Sequence, residues 1–146
     1  MNFREYLTEQ KKYSAGVVIT DGEYMLVCKT SYGNDIPKGE IDSGESPIQA
    51  AIREVKEETG YTVSKNVLED FGNHSYIKGE YAKDLHIFKY EVDELPKLNS
   101  FHCDSYYIDK KTGKKLPEVL GYDYIKVKQM GKGLSPNMKR VVSKVF

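Results

Sequence analysis

The chain has 146 residues, a length that suits one compact domain with a sizeable core, and we expect a single domain over residues 1–146. Its 22 lysines and arginines balance 22 aspartates and glutamates, so no net charge draws it to nucleic acid or to an anionic membrane. Met1 to Tyr6 lack the apolar core of a signal peptide and no long apolar run follows, which predicts a cytoplasmic protein without a membrane segment. Cys28 and Cys103 are isolated and are interpreted as reduced packing thiols.

Two strands are predicted near the start of the chain, over Ser14 to Ile19 and Glu23 to Thr30, because both segments are rich in β-branched and aromatic residues. Asp21-Gly22 lies between them and is a strong hairpin-turn signal. The segment Ser31 to Ser43 is rich in glycine and polar residues and is expected to be a loop.

A helix is predicted directly after this loop. Ser46 can cap its first turn, Pro47 suits the first helical position, and Gln49 completes a Ser-x-x-Gln capping box. Gly60 is placed to end the helix in a left-handed conformation. An apolar stripe for packing on the core is formed by Ile48, Ile52, Val55 and Thr59.

The second half of the chain contains further strand patterns and one more helix. The predicted strands are Val67 to Phe71 or a little beyond, Leu85 to Val92, Ser105 to Ile108 and Tyr122 to Val127. A basic turn, Lys110 to Lys115, is predicted to be the solvated tip of a hairpin. The last helix begins with the cap Ser135 and the first-turn Pro136, and its stripe is Met138, Val141, Val142 and Val145. This order of elements favours an α/β fold with helices on both faces of a mixed sheet.

Three glutamates of the first helix share one face. Glu54, Glu57 and Glu58 are spaced i, i+3 and i+4, so at about 100° per residue their carboxylates project from one side. Like charges at these spacings cost roughly 0.2–0.5 kcal/mol per pair. Hard divalent cations, which prefer oxygen ligands, are the natural partners to offset this repulsion, so the cluster is a candidate metal site.

The spacing of the residues around this cluster is specific. Gly39 is followed after five residues by Glu45, and after seven more by Arg53-Glu54-Val55-x-Glu57-Glu58-x-Gly60. This pattern resembles the signature of the Nudix hydrolases at every fixed position. Tyr61 is the one departure, because the family usually has an aliphatic residue there. The resemblance implies an α/β/α sandwich with a mixed β-sheet and covers most of the chain.

The resemblance also implies hydrolysis of a nucleoside diphosphate linked to a further group, with Mg²⁺ or Mn²⁺ as cofactor. The positions that match the family's metal ligands are Glu54, Glu57, Glu58 and the carbonyl of Gly39. Glu45 and Arg53 match supporting positions, and Arg53 can hold a carboxylate in register.

The general base of such a reaction is left open by the signature, since either Glu54 or Glu57 could serve, or an acidic residue outside it. Among outside residues we favour Glu118, also as a metal ligand, because it comes just before the strand predicted at Tyr122 to Val127. Family members often place a glutamate facing the metals there. Its rivals are Glu91, Asp93, Glu94 and Asp104.

Three features bear on the substrate. Ile36-Pro37-Lys38-Gly39 resembles the approach sequence of Nudix enzymes that act on dinucleoside polyphosphates and on capped or triphosphorylated RNA, and Lys38 could meet a phosphate. Tyr76, sixteen residues after Gly60, resembles a marker of diadenosine-polyphosphate hydrolases. Rings that could stack on a base are those of His74, Tyr76, Tyr81 and His86.

We therefore predict asymmetric hydrolysis of a dinucleoside polyphosphate such as diadenosine tetraphosphate, with a nucleotide substrate or an RNA 5′ end as the partner and no membrane or protein partner implied. The alternatives are an RNA 5′-pyrophosphohydrolase, a nucleoside triphosphate pyrophosphatase and an ADP-ribose hydrolase. Binding an RNA 5′ end would use a basic groove, for which the candidates are Lys110, Lys111, Lys114, Lys115, Lys126, Lys128, Lys132, Lys139 and Arg140. A nucleotide-sensing module without catalysis is a different class, and the presence of all three helix glutamates argues against it.

Overall fold

The computed structural model describes residues 11–146. Met1 to Tyr6 lie outside the described residues, and the expectation of one domain over residues 1–146 stays a prediction. Among residues 11–146, no helix has both the length and the apolar character needed to cross a membrane.

In the described part of the chain, seven strands form one mixed sheet, and two more form a small separate sheet. The strands are β1 (Lys12–Thr20), β2 (Tyr24–Thr30), β3 (Gly33–Asp35), β4 (Lys38–Glu40), β5 (Glu69–Lys78), β6 (Tyr81–Glu91), β7 (Tyr106–Ile108), β8 (Lys115–Pro117) and β9 (Gly121–Lys126). The main sheet has the order β3-β2-β1-β6-β5, with β4 also paired to β1 and β9 to β2. β1 and β6 are parallel, while the other pairs are antiparallel. β7 and β8 pair with each other in the small sheet.

Among residues 11–146, three α-helices cover this sheet: α1 (Pro47–Thr59), α2 (Met130–Gly133) and α3 (Pro136–Val142). Short 3₁₀ turns are found at Leu98–Ser100, Val127–Gln129 and Ser143–Val145. Successive side chains of a strand point to opposite faces of a sheet, and β1 shows how the helices use this. Ala15, Val17 and Ile19 pack with α1 on one face, whereas Val18 packs with α3 on the other. The predicted α/β/α sandwich is confirmed.

The limits of α1 follow from its local sequence. Both hydrogen bonds of the capping box between Ser46 and Gln49 are present, and Pro47 occupies the first turn. Gly60 has φ 73° and its N–H donates to the carbonyl of Lys56, which ends the helix as predicted.

Several elements differ from their predictions. The expected loop Ser31 to Ser43 contains β3 and β4, two strands of three residues whose extended form comes from pairing with β2 and β1. β5 begins at Glu69 and continues to Lys78, well past the predicted end, because a bulge between Asp70 and Asn73 lets the polar segment keep pairing with β6. β8 and α2 were not predicted, since a strand of three residues and a helix of four carry too little pattern.

Candidate active site

Close contact between β4 and α1 builds the centre of the site. β4 pairs with β1 so that Gly39 lies opposite Ala15, and α1 packs against both strands. A Cβ atom on Gly39 would lie 2.1 Å from Cδ of Glu54. The Gly39 backbone therefore touches the Glu54 carboxylate, and any side chain at residue 39 would displace it.

Arg53 links the loop before α1 to the carboxylates on the helix. Its Nε and Nη2 donate to the two carboxylate oxygens of Glu45 at 2.7 and 2.9 Å. Its Nη1 donates to Glu54 at 2.8 Å and to Glu57 at 3.2 Å, and Nη2 also donates to the carbonyl of Glu40 at 2.9 Å. The hydrogen bond from Arg53 holds the pKa of Glu45 below its ordinary value. One guanidinium thus fixes the orientation of three glutamates.

Two of the helix glutamates are buried. Glu58 is 6% exposed, and burial together with the negative charge of Glu54 raises its pKa to about 9. The backbone N–H of Lys38 donates to Glu58 Oε2 at 2.8 Å and opposes this rise. Burial also raises the pKa of Glu54, against the opposing effect of Arg53. Glu57 differs, because its side chain is 42% exposed.

Glu118 lies beside these buried carboxylates, at the end of β8. Its N–H donates to the carbonyl of Ser105 at 2.9 Å, and its side chain lines the same cleft as Glu58. Its negative charge contributes to the raised pKa values of Glu54 and Glu58. The structure therefore brings Glu118 together with the signature glutamates.

The rivals of Glu118 are less well placed for such a role. Glu91 forms an ion pair with Lys89 at 3.5 Å and approaches the turn at Gly22. Asp104 lies at the end of α1, where its N–H donates to the carbonyl of Glu57 at 2.7 Å and its carboxylate pairs with His102. Asp93 and Glu94 are exposed residues that follow β6. None of the four lines the cleft beside Glu58.

The donor chemistry of this cluster fits a hard divalent cation. Within residues 11–146, no three side chains of His, Cys, Asp or Glu already converge on a single point with the geometry of a metal site. Arg53 instead draws Glu54 and Glu57 toward itself. However, the neighbouring groups are carboxylates and a glycine backbone, and burial raises the pKa values of Glu54 and Glu58. Mg²⁺ and Mn²⁺ bind such oxygen donors.

A cleft of two lobes opens from the carboxylates. The catalytic lobe, about 300 Å³, is lined by Ile36, Glu58, Tyr107 and Glu118 among others. The side lobe, about 340 Å³, reaches Tyr76. Both lobes share Thr30, Tyr32, Asp35, Lys38 and Lys78. The cleft therefore runs from an acidic end, past Lys38 and Lys78, to the side lobe.

Lys38 and Tyr76, the predicted substrate-binding residues, both line this cleft. Nζ of Lys38 pairs with Asp35 at 3.1 Å; burial would lower the pKa of Lys38, but the charge of Asp35 raises it, so its cation is retained. Tyr76 is only 7% exposed and packs in the core with α3, so only a small part of its ring faces the side lobe. The substrate-binding roles of both residues stay predictions.

The other rings considered for base stacking lie elsewhere. The ring of His86 stacks on Phe88 with centroids 4.8 Å apart, and its Nε2 pairs with Asp70. His74 forms a hydrogen bond with the carbonyl of Phe71. Neither these histidines nor Tyr81 line either lobe.

Sequence reasoning missed several residues that line the cleft, among them Tyr32, Lys78 and Tyr107. Tyr32 had a usable signal, since a large aromatic residue in the turn Thr30-Ser31-Tyr32-Gly33 has no core position to fill. Lys78 and Tyr107 carry no such signal, because only the folded chain brings β5 and β7 to the cleft.

Comparison with known proteins gives a consistent result. A sequence model of the NUDIX domain family matches residues 10–142. The m7GpppN-mRNA hydrolase dcap-2 of Caenorhabditis elegans is 28% identical over 121 residues, which cover 74% of this chain and 15% of that protein. A nudix hydrolase 2 of the same organism is 60% identical over 35 residues, 24% of this chain and 16% of that protein. The chain thus spans a small part of the length of these curated relatives.

Solved structures match nearly the whole chain. The C. elegans Ap4A hydrolase, in a binary complex, has a TM-score of 0.63 and 22% identity, and the match covers 92% of this chain and 94% of that chain. The NUDIX domain of Shewanella oneidensis NrtR, crystallised with ADP ribose, has a TM-score of 0.70 and 13% identity, covering 99% and 97%. At these identities the likeness establishes the fold.

Proposed function

This chain belongs to the Nudix hydrolase family, whose members act on pyrophosphate bonds, and we propose that it hydrolyses a dinucleoside polyphosphate such as diadenosine tetraphosphate. The observation that carries the proposal is the cleft, which has an acidic end, two lysines and the side lobe. Such a shape suits an elongated anion with a nucleoside at each end. The whole-chain fold match to an Ap4A hydrolase supports the same substrate class.

The residues of the acidic end have separate roles in this proposal. Glu54, Glu57, Glu58, Glu118 and the Gly39 carbonyl would hold Mg²⁺ or Mn²⁺. When bound, such ions neutralise phosphate charge and make a water molecule easier to deprotonate. Arg53 acts through the carboxylates, because its hydrogen bonds to Glu54 and Glu57 keep both oriented.

The proposed reaction is attack of water on phosphorus. A new P–O bond forms to the water oxygen, and the anhydride P–O bond breaks, so that diadenosine tetraphosphate gives ATP and AMP. The proton of the water passes to a carboxylate, for which Glu118 is our first choice and Glu57 our second, because both are less buried than Glu54 and Glu58. Lys38 faces the phosphates as a positive charge.

A product-resolved hydrolysis panel with Mg²⁺ and with Mn²⁺ tests this proposal. The substrates are diadenosine tri- and tetraphosphate, ADP-ribose, nucleoside triphosphates and 5′-triphosphorylated RNA. We expect preferred cleavage of diadenosine tetraphosphate, lowered at least about tenfold by Glu57→Gln and unchanged by Glu23→Gln, an exposed glutamate beside the β1–β2 turn. Unchanged turnover of the folded Glu57→Gln variant would remove the metal-site assignment.

An RNA 5′ end is a second candidate substrate, favoured by one observation. Lys128, Lys132 and Lys139 line a single surface depression of about 450 Å³, so several of the predicted basic residues do gather. Pyrophosphate release from RNA with a steep dependence on salt would select this candidate. Release of ATP and AMP from diadenosine tetraphosphate in preference to RNA turnover would exclude it.

A further inference from the structure

Two tyrosines from separate hairpins line the catalytic lobe. Tyr32 belongs to the turn between β2 and β3, and Tyr107 belongs to β7 in the small β7–β8 sheet. Glu118, which follows β8, reaches the same lobe. Aromatic rings and catalytic carboxylates are therefore presented to one space.

The exposure of Tyr32 is not explained by packing. The residue is 90% exposed, so its ring contributes little to the core. Its backbone is nevertheless held, because its N–H donates to Thr30 Oγ1 at 3.1 Å while that hydroxyl donates to the carbonyl of Gly33 at 2.8 Å. The turn thus keeps an aromatic ring at the mouth of the cleft with little backbone freedom left to lose on binding.

The direction of Tyr107 follows from the alternation of β7. Tyr106 and Ile108 are exposed on one face of the strand, where Lys115 Nζ lies 4.7 Å from the ring centroid of Tyr106. Tyr107 is partly buried and faces the opposite way, into the catalytic lobe. Tyr106 consequently serves as a matched control on the same strand.

We propose that the catalytic lobe holds a nucleobase of the substrate against the rings of Tyr32 and Tyr107, and that Lys78 contacts an adjacent phosphate. This inference rests on the proposed function, because it assumes a nucleotide in the cleft. Every base has a flat face that stacks on tyrosine, and the lysines shared by both lobes supply positive charge beside it. The two tyrosines are then binding residues, while the carboxylates perform the reaction.

Equilibrium binding of AMP and of ribose 5-phosphate tests the inference without turnover. Loss of one stacked ring weakens AMP binding by about 5- to 150-fold, which we expect for Tyr32→Ala and Tyr107→Ala. Ribose 5-phosphate has no base, so its affinity should stay within about twofold in both variants. Tyr32→Phe keeps the ring and should bind AMP like the wild type, as should Tyr106→Ala.

Further controls separate a loss of folding from a loss of AMP binding. Tyr107→Leu keeps an apolar side chain without a ring, so it replaces Tyr107→Ala if that variant has a lowered melting temperature. AMP affinity within about twofold of the wild type in Tyr32→Ala would overturn the inference whatever the hydrolysis panel shows. Equal affinities of the wild type for AMP and ribose 5-phosphate would overturn it too. Ring-dependent AMP binding without cleavage of any dinucleoside polyphosphate would support the inference while refuting the proposed function.

Discussion

The metal-free protein should lose stability as the pH rises, because of Glu58. The fold raises the pKa of this carboxyl from 4.5 to about 9, so between these values the folded state binds the proton that the unfolded state has released. Stability from this group is fully present below about pH 4.5 and declines as the pH rises toward the folded value. One proton corresponds to about 1.4 kcal/mol per pH unit, or about 3 kcal/mol between about pH 5.5 and about pH 7.5.

Glu58→Gln isolates this effect. The amide oxygen can still accept the hydrogen bond that the Lys38 N–H donates at 2.8 Å, but the side chain no longer ionises. The variant should therefore gain stability over the wild type by about 1.4 kcal/mol for each pH unit in this window. All other titrating groups are shared, so their contributions largely cancel in the difference. Glu57→Gln is the matched control, since the Glu57 side chain is 42% exposed and its charge stays in contact with water.

Urea unfolding of chelator-treated protein at several pH values measures the difference directly. Added Mg²⁺ should stabilise the wild type most at the upper end of the window, where the Glu58 proton is released more easily to the solvent as the ion binds. Free energies of unfolding that stay parallel for the wild type and Glu58→Gln across the window would refute the assigned ionisation.

Three further substitutions test the rest of the site. Glu118→Gln should slow turnover at least about tenfold, or 1.4 kcal/mol in barrier height, and a smaller loss in steady-state kinetics would exclude it as the base. Arg53→Lys exchanges two hydrogen bonds to Glu45, at 2.7 and 2.9 Å, for one point charge; turnover at saturating Mg²⁺ should fall by about 10- to 100-fold with the circular dichroism spectrum retained. Gly39→Ala places a Cβ 2.1 Å from Cδ of Glu54. Because that carboxylate can swing away, the variant should fold, but calorimetry should show that it binds Mg²⁺ about tenfold more weakly. Wild-type affinity for Mg²⁺ would show that the contact is unimportant.

The parts of the fold that were predictable from sequence are those fixed by neighbouring residues. α1 begins at Pro47 and ends at Thr59 because Ser46, Gln49 and Gly60 decide its limits locally. β3 and β4 are extended only because longer strands pair with them, so three-residue segments rich in glycine and polar residues gave no periodic signal.

The same distinction applies to the site. Helical spacing alone places Glu54, Glu57 and Glu58 on one face. It does not indicate that Glu58 is buried and Glu57 half-exposed, because that difference arises where β4 covers part of the helix. Tyr32 and Tyr107 lie 75 positions apart and meet at one cleft only in the folded chain, where β9, which follows the β7–β8 sheet, pairs with β2.

The contact between Gly39 and Glu54 also acts as a check on strand alignment. A slip of β4 by one residue along β1 would bring Lys38 or Glu40 to the position of Gly39, where any side chain displaces the Glu54 carboxylate. The wrong alignments therefore displace the Glu54 carboxylate, whereas the right one brings the Gly39 backbone against it. Alignment of β4 and assembly of the proposed cation site are therefore linked, so a chain with a misaligned β4 should bind Mg²⁺ more weakly.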